Sequence, residues 1–135
     1  MLNVAILCPQ GLGDALLMMI VAHHFQKKGH AVTFYHDQPD FIRPLFPKMS
    51  FTSYPSLNVF EDTFKAYDLV LIENDHSEKA WTLINLRKQQ HLTNITFLFP
   101  KPCKTICEPR DYVFNKKDPV ATNLAKACQK LLQMP

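Results

Sequence analysis

The sequence predicts an α/β domain with a Rossmann-like, doubly wound and mostly parallel sheet. Two observations carry this. Short apolar runs alternate with helical segments along the 135 residues, and the runs are continuous rather than alternating, as strands covered on both faces must be. The connections between them are also brief, which suits βαβ units. A chain of this length makes one domain, here residues 1–135, and buries roughly two-thirds of its unfolded surface.

Residues 3–8 (NVAILC) form the first buried strand, closed by Pro9, Gln10 and Gly11. A helix follows, with Asp14 as its N-cap or first-turn carboxylate, Lys27 and Lys28 complementing its C-terminal dipole, and Gly29 ending it. Residues 31–35 return as a second strand. Residues 41–46 hold a short candidate helix in which Pro44 fits only a first turn or a break. Residues 51–54 read as a third strand and residues 59–65 as a short helix. The run LVLI at 69–72 is a fourth strand, after which Ser77 and Glu78 open a helix that reaches about Gln90. Residues 95–99 make a fifth strand. Residues 100–111, with three prolines, two cysteines and no period, read as an irregular connection. A last helix spans 119–133, with Asp118 as cap, Pro119 at its first position and an apolar stripe of Leu124, Ala127, Cys128, Leu131 and Leu132.

Composition removes several classes. Hydrophobic residues at 47% with charged residues at 20% exclude a disordered chain, and ten prolines against three glycines exclude a flexible linker. A net charge of +3 with scattered lysines argues against nucleic acid as a partner. Residues 101–135 carry seven Lys/Arg against three Asp/Glu, which fits a solvated helix face better than an anionic partner. The apolar run from Ala15 to Ala22 is too short to span a bilayer, and no basic segment opens a signal peptide, so a cytoplasmic location is expected. That compartment keeps Cys8, Cys103, Cys107 and Cys128 reduced rather than joined in disulfides. The spacing of Cys103 and Cys107, with no histidine cluster nearby, argues against a metal site. No repeat or low-complexity segment appears.

In doubly wound sheets ligands bind beyond the carboxyl ends of the strands, so the loops after strands one, two and four are the places for chemistry. In the first, Gly11 and Gly13 allow a tight turn and a close approach of ligand to backbone at a helix N-terminus. The segment does not complete a dinucleotide fingerprint. With Gly11 and Gly13 as the first two glycines the third position is Leu16, and with Gly13 as the third the first two are Cys8 and Gln10. Asp37, after the second strand, sits where a ribose-binding acid would, which keeps an NAD(P)-binding reductase domain open as an alternative. Asp14 makes a poor phosphate cradle, since a carboxylate there repels the anion. It serves either as a general base for a substrate hydroxyl or as a plain helix cap.

Taken in order, Gly11-Leu-Gly-Asp14-Ala-Leu-Leu, Gly29-His30-Ala-Val-Thr-Phe34, Tyr67-Asp68-Leu-Val-Leu-Ile72 and the helix of residues 118–132 resemble the amino-terminal domain of the family 9 glycosyltransferases, the ADP-heptose:lipopolysaccharide heptosyltransferases. The resemblance covers nearly the whole chain. It implies the acceptor-side half of a GT-B fold, with a C-terminal nucleotide-sugar domain expected downstream, so that this chain alone would not catalyse. It implies an inverting transfer of a heptose-type sugar from a nucleotide-diphosphate donor to a lipopolysaccharide-type saccharide or glycolipid acceptor. Asp14 would be the base, with no cofactor or metal and at most peripheral contact with the inner membrane. Two places depart from the family: Pro9-Gln10 stands where small hydroxyl residues are usual, and Glu73-Asn74-Asp75-His76 replaces Asp-Leu-His or Asp-Leu-Gln.

The candidate acceptor site is therefore Gln10, Gly11, Leu12 and Gly13 with Asp75 and His76, the last two orienting a sugar hydroxyl or pairing with Asp14, or else forming a plain turn. Lys101 and Lys104 read as acceptor contacts or as ordinary surface lysines. His23 and His24 read as one packed and one solvent-facing residue, Trp81 as core, and Asn94-Ile-Thr96 as a glycosylation pattern without a role in the cytoplasm. A stand-alone sugar- or nucleotide-binding module is the third function class open to the chain.

Overall fold

Residues 4–7 have no polar face to give to water, so the strand they form must be covered on both sides. The computed structural model, which describes residues 1–8, 11–101 and 106–133, meets that need with three layers. Strands β1 (Asn3–Leu7), β2 (Ala31–Tyr35), β3 (Ser50–Thr52), β4 (Leu69–Glu73), β5 (Ile95–Phe99) and β6 (Tyr112–Val113) form one sheet in the order β3-β2-β1-β4-β5-β6. Every pairing is parallel. The helices are α1 (Leu12–Lys27), α2 (Pro39–Ile42), α3 (Phe60–Phe64), α4 (Glu78–Lys88) and α5 (Val120–Gln133).

Alternate strand residues feed two cores. Val4, Ile6 and Phe34 point to the layer of α1 and α5, with Met18, Phe25, Leu124 and Ala127, while Ala5, Leu7 and Val70 meet Phe60, Phe64, Leu83 and Ile84 of α3 and α4. The stripe expected on the last helix is used in full, since Leu124, Ala127 and Cys128 are buried and Leu131 and Leu132 pack at the margin.

Several boundaries differ from the sequence reading. The first helix starts at Leu12, just after the Gly11 turn, so that Asp14 takes the first-turn place, one of the two positions expected for it. Residues 41–46 divide between α2 and a 3-10 turn at Arg43–Leu45, with Pro44 at the point where an α-helical hydrogen bond would fail. β3 begins one residue earlier than expected and ends two earlier. The segment after residue 111 carries β6, whose two residues pair with Leu98 and Phe99 and are too few to leave a periodic signal. At α5 the Asp118 carboxylate pairs with Lys126 at 2.9 Å instead of capping the helix.

Candidate functional site

β1 lies between β2, which follows it in the chain, and β4, which comes after β3 has crossed back, so the connections leave β1 and β4 in opposite directions. A crevice opens at such a reversal. One bank is the start of α1. Gly11 is its N-cap with φ 102° and ψ 140°, a conformation open in practice only to glycine. No side chain caps α1, and Asp14, in its first turn, is exposed. The carboxylate is therefore not the cap: Asp14 Oδ2 turns back to within 4.0 Å of where a Cβ on Gly11 would stand. Leu12 and Gly13 belong to the helix rather than the loop, and a Cβ on Gly13 would meet nothing within 4 Å. Of the two glycines, only Gly11 is required by the turn. Gln10 and Lys104 lie outside the described residues.

The facing bank is the end of β4. Asn74 is buried, extends the ladder through its N–H to Leu98 O (2.8 Å), and accepts the His76 N–H on Oδ1 (3.2 Å). Asp75 Oδ1 accepts from Ser77 N (3.0 Å), and Ser77 Oγ caps α4 by accepting from Ala80 N (3.2 Å). This chain of short-range bonds holds His76 at φ 60°. Asp75 thus does form the turn and does not pair with Asp14; His76 is exposed, with its ring 6.4 Å from that of Trp81. Trp81 is not core, being 42% exposed. Lys101 shares a small cavity with Asn74 and His76.

Glu73 is the residue that sequence reasoning passed over. Burial, with the charges of Asp14 and Asp75 close by, pushes its carboxyl up to about 7. Asp14, Glu73 and Asp75 therefore share one electrostatic environment. The available signal was an acid at the end of an otherwise apolar buried strand.

The third wall comes from β2. His36 is 6% exposed; its Nδ1 accepts the Gln38 N–H (2.9 Å), while its Nε2 is buried without a hydrogen-bond partner. Asp37 pairs with Lys79 Nζ at 2.9 Å, so the acid expected to hold a ribose is already engaged. Lys79 also lies 3.9 Å from the ring centroid of Tyr54, whose hydroxyl donates to Cys8 O (2.9 Å). Burial pushes the Cys8 thiol up to about 12, which leaves it protonated and unsuited to nucleophilic chemistry. Between these groups and α1 a cavity of about 660 Å³ is lined by Gly11, Leu12, His36, Asp37, Gln38 and Phe41. A more apolar cavity of about 460 Å³ is lined by Met19, His23 and Phe46 among others, between α1 and the segment that leads into β3. There His23 is exposed and His24 half-buried, as expected. Among the described residues, no group of three His, Cys, Asp or Glu side chains is arranged to hold a metal ion.

No protein-family model and no curated protein sequence matches the chain. Among solved structures it is similar to the glycotransferase of kitacinnamycin, with a TM-score of 0.50 and 15% identity over 99% of this chain. The chain spans 36% of the length of that protein. The architecture is thus a Rossmann-like α/β domain of the kind seen in a glycosyltransferase. No helix among the described residues is long and apolar enough to cross a membrane.

Proposed function

We propose that this chain is the acceptor-side domain of an inverting GT-B glycosyltransferase, and that Asp14 is its general base. The observation that carries the reading is an exposed carboxylate in the first turn of an uncapped helix, at the crevice where the strand order reverses. Asp14 is exposed and accepts no hydrogen bond from the described residues.

In this mechanism Asp14 takes the proton of an acceptor hydroxyl as that oxygen bonds to the anomeric carbon of a nucleotide-diphosphate sugar. The bond from that carbon to the diphosphate breaks, the configuration inverts, and the diphosphate departs with the electron pair. Stabilising the leaving group belongs to a second, nucleotide-sugar domain. The turn at Gly11 and the start of α1 at Leu12 and Gly13 shape the acceptor site on one side, and Asp75 and His76 bound it on the other. The sugar moved is of the heptose type and the acceptor a lipopolysaccharide-type saccharide, met in the cytoplasm at the surface of the inner membrane. The resemblance at Gly13-Asp14 and Tyr67-Asp68 and the glycosyltransferase-like fold support this reading.

The test is transfer from ADP-heptose to a lipopolysaccharide core acceptor by the protein purified from its native locus, with and without Asp14→Asn. Turnover is expected to fall at least about 100-fold while donor binding is retained. Unchanged turnover overturns the assignment of the base.

A further inference from the structure

The cavity at the end of β2 has features the mechanism above does not use. His36 Nδ1 accepts a backbone N–H, so it carries no proton of its own, and in the neutral imidazole the proton sits on Nε2. That N–H is buried and donates to nothing. Buried donors are almost always paired in folded proteins, and one left without a partner beside a cavity marks a place for an acceptor atom from outside. The same cavity is lined by Phe41, an aromatic side chain 71% exposed, and by Leu12, 50% exposed.

Charge narrows the ligand. Asp37 lines the cavity, and the neighbouring buried Cys8 feels both Asp37 and Asp75; Lys79 is the cation in that group and is already bound to Asp37. Asp14 and Glu73 add further acid along the crevice. A phosphate or carboxylate would satisfy His36 but would meet these carboxylates in a partly desolvated site, whereas a hydroxyl oxygen satisfies His36 at no such cost.

We propose that this cavity is a saccharide subsite for an uncharged sugar unit, in which a ring hydroxyl accepts the His36 Nε2–H and Phe41 covers the apolar face of the ring. The volume, about 660 Å³, accommodates one or two pyranose rings. The proposal deepens the glycosyltransferase reading and rests on it: the acceptor unit seated here, beside the one that meets Asp14, carries no phosphate.

The test is titration of the 135-residue chain with methyl glucoside and with glucose 6-phosphate at low ionic strength, followed by NMR of the backbone amides and the His36 ring. Methyl glucoside is expected to shift Gln38, Phe41 and the His36 ring together. Glucose 6-phosphate is expected to bind at least about five-fold more weakly, and His36→Ala to weaken methyl glucoside by at least about five-fold. Phe41→Ala, at an exposed position that leaves folding intact, should weaken it as well and provides the arm to read if His36→Ala does not fold. Tighter binding of the phosphate, or binding indifferent to both substitutions, overturns the subsite. Shifts confined to residues 12–14 and 75–77 overturn the subsite and leave the acceptor-domain reading standing; an absence of shifts with either sugar counts against both.

Discussion

Two polar regions of this molecule contrast in what they leave undone. Where the chain approaches β6, Arg87 and Asp111 are both buried and every strong bond is made within the protein. Asp111 Oδ1 accepts from Arg87 Nη1 (2.6 Å) and Phe97 N (2.9 Å), and Oδ2 accepts from Arg87 Nη2 (2.9 Å) and Glu108 N (2.8 Å). The guanidinium also reaches Ile106 O (2.8 Å) and Glu108 (2.7 Å) and lies over the ring of Phe97. At the crevice, by comparison, Asp14 accepts no bond from the described residues, Glu73 sits among like charges, and His36 Nε2 has no partner. Polar groups saturated by the protein hold α4, β5 and the approach to β6 together. Polar groups left unsaturated at a strand-order reversal are where the proposed site would take its ligand.

The sharpest way to break the contrast is Asp111→Ala, which removes the buried, bidentate partner of Arg87 and leaves its charge only the more exposed Glu108. It should cost about 3–5 kcal/mol in urea denaturation, enough to unfold much of the population. A cost under about 1 kcal/mol would mean that water satisfies Arg87 and that the two regions do not differ in kind. Next come the glycines. Gly11→Ala should cost about 1–2 kcal/mol through its positive φ, whereas Gly13→Ala, in a helix with open space around it, should gain about 0.5–1 kcal/mol and still impair acceptor binding. A stabilised Gly13→Ala protein that transfers sugar normally would remove Gly13 from the site.

Glu73 gives a smaller, pH-dependent effect. Because its folded value is raised from 4.5 to about 7, its contribution to stability is full below about pH 4.5 and is lost as pH rises through about 7. Glu73→Gln should flatten the melting temperature across that window and raise it at pH 8; a wild-type melting temperature with no decline between those pH values would contradict the crowding of carboxylates. Smallest is the Lys79 pair with Asp37, where Lys79→Met should change stability by less than about 1 kcal/mol, with a dependence on salt that disappears in the variant.

Much of the fold was legible because its signals are local. The run NVAIL, the LVLI segment and the stripe from Leu124 to Leu132 each declare burial through spacing alone, and the candidate base was visible as a carboxylate next to Gly13. Hidden from that reading were the groups whose character comes from distant neighbours. Glu73 looked like a strand end until Asp14, 59 positions away, was brought beside it. Arg87 carries no sign of burial in the spacing of its helix, and it is the fold that closes Asp111 over it.

By itself the sequence determined the alternation of strands and helices, the two-sided burial of the sheet and the start of α1 at a glycine turn, because hydrophobic period and backbone freedom are properties of adjacent residues. Only the tertiary structure decided the strand order, the pairing of β6, the raised carboxyl of Glu73 and the unpartnered Nε2 of His36. Those follow from which segments desolvate one another, and desolvation depends on packing across the sheet rather than on spacing along the chain.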